Sequence, residues 1–328
     1  METLKISIKP QGAFVTALRG DTLFGQFCWA LRHTQGESAL IQALEGYQGG
    51  SPFAVIADPL PQGVIPRPAC PPHLMGIDSF NNSPESAMQR KALKQKKWVE
   101  ECALAKPLKQ WQTHLMDETQ LAQRLDLGGP LTSLTTQQTR YHNSLNRKTG
   151  STGQGEGFAP FSRQLNWYHP SLSLELYVCY NAQKIAAADV LEAIEYIGHT
   201  GYGKEASNGA GKFTLQKHAA LTPAKHTQAN SLLTLAPSAP QGQSWQPAHC
   251  YYKTQTHFGR HGDLAAIQGQ PFKNPILLAA TGAVLCPTTM PIENYCGQGL
   301  GGLSKSIVGT VHQGYAPTLA IVQEGVAA

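Results

Sequence analysis

The sequence has no Cys-x-x-Cys pair, no His-Glu-x-x-His, no Gly-x-x-x-x-Gly-Lys-Ser/Thr loop, and nothing near the roughly 18 apolar residues of a membrane helix. The first absence removes zinc knuckles and redox dithiols. The second removes the common metallopeptidase helix, and the third removes a Walker A phosphate site. Seven cysteines (Cys28, Cys70, Cys102, Cys179, Cys250, Cys286 and Cys296) form no spaced framework and read as free, reduced thiols. The opening Met-Glu-Thr-Leu-Lys has no apolar h-region, so a cytoplasmic location and no membrane partner are expected. Charge is also scarce: 14% of residues are charged against 41% hydrophobic, the balance of a packed globular chain and not of a disordered one.

What charge there is lies unevenly. The net charge is +5, and Arg90, Lys91, Lys94, Lys96, Lys97, Lys106 and Lys109 outnumber Glu100 and Glu101 by the same amount. A run of this kind is most often a solvated face, and Leu93, Trp98 and Val99 within it point to an amphipathic element. The overall sign favours an anionic partner.

A length of 328 residues allows two modest domains or one large one. Thr3 to Ile8 alternates as a strand, and Asp21 stands as an N-cap for a helix through Leu23, Phe24, Phe27 and Leu31. Residues 50 to 72 are proline-rich and read as an extended loop, and 132 to 166 read as a long loop or protruding hairpin with Arg140, Arg147, Lys148 and Arg163. Ser171 to Tyr180 is a strand, Ala186 to Ile197 a helix stopped by Gly198, and Phe213 to Leu215 a strand. The order is that of a ferredoxin-like βαββαβ unit with insertions, and a second, smaller unit starts near Ser231. The expected class is α+β.

Glycine is abundant where it can matter for ligands. Gly198 to Lys212 is a glycine-dense basic loop, and Gly297 to Gly302 reads as a second one. Backbone N–H groups in such loops can hold phosphate oxygens. Gly201, Gly203, Gly297, Gly299, Gly301 and Gly302, with Lys204, Lys212 and Lys305, are therefore candidate phosphate-binding residues. Gly297, Gly299 and Gly302 match Gly-x-Gly-x-x-Gly as a string, but no strand precedes them and no acidic ribose partner follows. His257 and His261, with Asp263 nearby, have His-x-x-x-His spacing, yet Gly259 and Gly262 oppose the helix such a pair needs. No metal, no cofactor and no catalytic residue are expected. His142 and His261 sit in basic, glycine-containing surroundings, where they could stack on a nucleotide or act as an acid/base in RNA cleavage. Trp98, Tyr141, Phe158, Phe161, Trp167, Tyr168 and Tyr202 could stack on unpaired bases or lie in the core.

Several stretches together resemble one family. Gly20-Asp21-Thr22-Leu23-Phe24-Gly25-Gln26-Phe27-Cys28-Trp29-Ala30 is similar to the first-helix signature of RAMP proteins. Pro52 to Pro61 with Ile65-Pro66-Arg67-Pro68, the Lys91 to Val99 run, His142 to Gly150, Gly201 to Phe213, Phe258 to Gly262 and Gly297 to Gly302 follow in the family's order. The ordered series resembles the fourth-subunit family of type III-A (Csm) CRISPR effector complexes, over nearly the whole chain. That resemblance implies two ferredoxin-like (RRM-like) domains: 1–225, with insertions at about 81–130 and 132–166, and a smaller 226–328. It implies a non-catalytic, RNA-binding subunit that holds the 5′ repeat-derived tag of crRNA and contacts the large palm-domain subunit and a backbone RAMP subunit. It further implies a thumb-like hairpin, placed in 132–166, and RNA contacts from His142, Asn143, Arg147, Lys148 and Arg260. The chain departs from the family in a long 81–130 region and in Lys204-Glu205, where the usual loop is richer in glycine. The alternatives are a metal-independent RAMP endoribonuclease using His142 or His261, and a small-molecule phosphate-binding enzyme.

Overall fold

A computed structural model describes residues 1–77, 83–128, 133–153, 158–221, 228–262, 266–267, 270–291 and 293–326. Asp263, Gly155, Gly157, residue 132, both ends of the 81–130 insertion and the expected 225/226 boundary lie outside the described residues.

The first unit is built from β1 (Glu2–Pro10), α1 (Gly20–Gln35), β2 (Ala54–Ile56), β3 (Leu174–Tyr180), α2 (Ala187–Thr200) and β4 (Phe213–Leu221). The strands pair antiparallel in the order β4-β1-β3-β2, with Ile6 opposite Leu176 and Val55 opposite Cys179. This is the order expected of a ferredoxin-like βαββαβ unit. β1 buries Leu4, Ile6 and Ile8 at every second position. β3 is buried along its whole length, since Leu176 and Val178 face the helices while Tyr177 packs with Ala57, Leu60 and Leu235 on the other side. Leu23, Phe24, Phe27 and Leu31 of α1, and Val190, Ile194 and Ile197 of α2, supply the helical half of this core.

Two local expectations are corrected. Asp21 is not the N-cap of α1: the helix begins at Gly20, and its first N–H is taken by Asp58 Oδ1 at 2.7 Å. Nor does Gly198 end α2. It lies inside the helix, and Gly201, at φ 103°, follows its last residue.

Among the described residues, the insertion after β2 contains regular structure of its own. Val64–Pro66, Trp98–Glu100 and Leu115–Met116 form a three-stranded sheet over the fully buried Trp111. Ser83 caps the helix Pro84–Gln95 by accepting from the Ser86 N–H at 3.2 Å. Arg90, Lys91 and Lys94 are exposed along that helix, so this part of the basic run is a solvated face.

The C-terminal unit contains β5 (Ser231–Thr234), β6 (Val284–Leu285), β7 (Tyr295–Leu300) and β8 (His312–Ile321), antiparallel in the order β6-β5-β8-β7. It has no α-helix of its own among the described residues. Instead β8 packs against α1 and the edge of the first sheet. The buried Gln313 side chain donates to the Ile56 carbonyl and accepts from the Ile56 N–H, both at 2.8 Å, so one amide continues the β2 edge. Tyr315 enters the first unit's core and donates to the Tyr47 carbonyl at 2.7 Å.

Candidate nucleic-acid interface

The region expected to protrude is a hairpin whose strands, Thr135–His142 and Phe161–Tyr168, pair over eight positions. Its first strand is exposed from Thr135 to Tyr141, and a strand pair in water is marginal by itself. The hairpin is anchored at its base by mutual backbone hydrogen bonds between Phe14 and Asn166, by burial of Leu165 and by edge-on packing of Tyr168 on Phe14.

Period-two geometry sorts the hairpin side chains by face. The cross-strand pairs Arg140–Arg163 and His142–Phe161 share one face. His142 stacks on Phe161 with ring centroids 5.2 Å apart and planes 8° from parallel, and the Arg163 guanidinium lies over the Phe161 ring. Like charges directly opposite one another destabilise a bare ladder, so the Arg140–Arg163 pair suits a face that meets anions. Arg163 donates to Glu205 at 3.1 Å, whereas Arg140 has no ion-pair partner among the described residues. Asn143, Arg147 and Lys148 are exposed beyond the strands, toward the tip. Tyr141 (81% exposed) and Trp167 (42%) are open to stacking, while Tyr202 is buried.

The first glycine loop packs beside the hairpin base. Glu205 has left-handed backbone, at φ 65°, and its carboxylate accepts from both Arg163 and Asn208. These hydrogen bonds hold its carboxyl below the usual range. The Lys204-Glu205 departure thus places a brace between loop and hairpin. Gly201 N–H donates to Ile197, Tyr202 N–H to Gly211 and Gly211 N–H to Ala13, so these groups are already committed. Lys204 N–H goes to Thr16 Oγ1. The side chains of Lys204 and Lys212 remain exposed. This loop offers a ligand charged side chains more than a ring of free backbone donors.

The second glycine loop is a strand. Gly297 and Gly299 belong to β7, opposite Tyr315 and Gln313 of β8. A Cβ at Gly299 would lie 2.5 Å from the Tyr47 carbonyl oxygen, and one at Gly301 would meet the Gln48 side chain. Gly297 and Gly299 let backbone approach backbone and Gly301 admits a side chain, a packing role that accounts for these glycines without a phosphate. Gly302, at φ 69°, faces open space, and Lys305 is exposed.

Arg260 lies 5.6 Å from the Phe272 ring and belongs to a segment laid along α1. Arg19 donates to Gln255 at 2.6 Å, and His257 Nδ1 is 3.0 Å from Asp21 Oδ2. His261 is buried, with Nε2 2.8 Å from Ser304 Oγ. Burial, with Lys273 close by, pushes its pKa down. A buried imidazole bonded to a serine is poorly placed to reach an RNA ribose, whereas His142 lies on the hairpin. The sequence search missed Arg140, Arg163 and Phe161 as a unit, although the alternation Arg140/His142 and Phe161/Arg163 carried it. It also missed the meeting of Asp21, His257 and His312, which no spacing announces. Burial opposes ionisation of Asp21, but the two histidines hold its carboxyl below the ordinary range; burial pushes His312 down to about 4.

Helices on one face of a β4-β1-β3-β2 sheet, followed by a second antiparallel sheet, define an α+β protein with a ferredoxin-like first unit. No known family's sequence model matches the chain, and no curated protein matches its sequence. Solved structures do match. A chain of the Csm3–Csm4 subcomplex of the type III-A CRISPR-Cas interference complex superposes over 98% of this chain and 99% of its own, at 13% identity and a TM-score of 0.60. A chain of the Csm1–Csm4 cassette bound to cA4 covers 99% of this chain and 100% of its own, at 13% identity and a TM-score of 0.56. The cassette bound to pppApA gives 14% identity and a TM-score of 0.55. Csm4 is the component these assemblies share, and the fold of this chain is Csm4-like.

Proposed function

We propose that this chain is the Csm4-type subunit of a type III-A CRISPR effector complex, and that it binds RNA without cleaving it. The observation that carries the reading is the end-to-end fold likeness to chains from two assemblies, one with Csm1 and one with Csm3. In this reading the chain holds the 5′ repeat-derived tag of crRNA and docks a Csm1-like palm-domain subunit and a Csm3-like backbone subunit.

The hairpin supports the RNA part. Phosphates meet Arg140, Arg147 and Lys148, and bases stack on the His142–Phe161 pair and Tyr141, with Asn143 available to a base edge. Lys204 and Lys212 extend the basic surface at the hairpin base, and Arg260 and Lys305 add charge on the C-terminal unit. Recognition is by charge and stacking on a single strand.

The test is incubation of the purified chain with labelled repeat-containing RNA in EDTA, read on native and denaturing gels. A shifted, intact RNA is expected, together with co-purification of a co-expressed Csm3-type subunit. Cleavage that survives EDTA and disappears in His142→Ala or His261→Ala would make the chain a processing nuclease instead.

A further inference from the structure

Asp21 stands more than two hundred residues before His257 and His312, yet the fold brings the ligand atoms of all three within 4.8 Å of one another. Asp21 Oδ2 is 3.0 Å from His257 Nδ1 and 3.8 Å from His312 Nε2. Ligand atoms of a tetrahedral centre with bonds of about 2.0–2.2 Å sit roughly 3.3–3.6 Å apart, and the two observed separations bracket that value. The Asp21 side chain is wholly buried, and His312 is 6% exposed. His312 Nε2 has no hydrogen-bond partner, and Asp21 Oδ2 has only the poorly aligned His257 Nδ1 contact, although both atoms are sealed from water. A buried carboxylate oxygen and an imidazole nitrogen left in that state cost free energy, and a cation between them would satisfy both.

We propose that Asp21, His257 and His312 form a divalent transition-metal site, suited to Zn2+ by its one carboxylate and two imidazoles. One ligand comes from the first turn of α1, one from the strand Thr254–His257 and one from the start of β8. The metal therefore braces the first unit to the C-terminal unit at the point where Arg19 also bonds Gln255. His257 supplies Nδ1 and His312 supplies Nε2, so each ring carries its proton on the other nitrogen. The side chain of His257 is 18% exposed, and its open side leaves room for water as a fourth ligand. No His-x-x-x-His helix is involved; the ligands come from three elements far apart in sequence.

The experiment uses the full chain, stripped with EDTA, equilibrated with Zn2+ and dialysed, with metal content read by mass spectrometry. About one equivalent per chain is expected, and below about a tenth of that in His257→Gln. Co2+ in the wild-type chain should give the strong visible bands of a four-coordinate N/O site, so the assignment does not depend on a variant that folds. A melting-temperature rise with Zn2+ should occur in the wild type and vanish in His257→Gln. Glu100, Cys102 and His114 form a second, more exposed cluster, so Cys102→Ser serves as the control. Retention of no metal by the wild type overturns the site. So does Zn2+ loss in Cys102→Ser with full binding in His257→Gln, or a Co2+ spectrum showing thiolate charge transfer.

Discussion

Neutralising the hairpin cations Arg140, Arg147 and Lys148 together should change the salt dependence of RNA binding more than any other three-residue change. All three side chains are exposed, so their replacement by alanine leaves no buried group unsatisfied. Arg163 is left in place because it also braces Glu205. For a single-stranded ligand, each phosphate contact contributes about 0.7 to the slope of log affinity against log salt. Three contacts contribute about 2, which corresponds to roughly a 20-fold difference in affinity loss between about 50 and 200 mM salt. The assay is fluorescence anisotropy with a labelled tag RNA over that salt range, for the wild type and the triple variant. Arg90→Ala with Lys91→Ala and Lys94→Ala removes the same charge from an exposed helix elsewhere and is the necessary comparison. Equal slopes for the two triple variants would mean that net charge alone draws RNA, and the hairpin argument would be wrong.

Phe161→Ala removes the stacking partner of both His142 and Arg163 and should weaken tag binding by about 1–3 kcal/mol, largely independent of salt; an unchanged Kd refutes the stacking role. Gln313→Ala strips both hydrogen bonds from Ile56 inside the core and should cost about 2–5 kcal/mol in chemical denaturation, with a loss under 1 kcal/mol refuting the splice. Gly211→Ala combines φ 74° with a Cβ 2.1 Å from the Tyr202 carbonyl oxygen, and should lower stability by about 1–3 kcal/mol or more, read as a lower Tm. Burial raises the Asp58 carboxyl to about 6, with Asp21 adding to the rise, while the Thr281 and Gly20 hydrogen bonds and the charge of Arg19 oppose it. The native chain then holds a proton that the unfolded chain has lost between about pH 4 and 6, so this contribution to stability falls as pH rises through that window and is level above it. Asp58→Asn should remove that slope, and denaturation curves at about pH 4, 5 and 6.5 that keep a constant gap from the wild type would refute it.

The parts of the fold legible in the sequence were those with an uninterrupted period. Leu4, Ile6 and Ile8 announced β1, and Val190, Ile194 and Ile197 announced α2, because each element buries one regular stripe. The hairpin was legible through length, charge and the lack of a core pattern. The three-stranded sheet around Trp111 was not, because its strands are two or three residues long, too short to show any period. The start of the C-terminal unit near Ser231 was legible, but glycines hid β7 as a loop, and the unit's lack of helices could not be read from the sequence. Its sheet borrows the face of α1 and the edge of β2, and a surface supplied by distant sequence leaves no local trace.

Glycine and aspartate show why the site was harder to read than the fold. Gly201 and Gly299 look alike in a string, since both stand in glycine-rich runs with a lysine a few residues on. One takes left-handed backbone at a helix end, and the other sits in a strand so that Tyr47 can approach. A missing Cβ permits positive φ and close packing equally, and only the neighbour decides between them. Asp21 and Asp58 divide in the same way. Asp21 occupies the position where sequence rules place a cap, yet Asp58 does the capping from 38 residues away and frees Asp21 to face two histidines. The helix N-terminus needs one acceptor, and any carboxylate the tertiary fold delivers will serve. Once Asp58 fills that need, the carboxylate that propensity assigned to the cap becomes the first ligand of the candidate metal site.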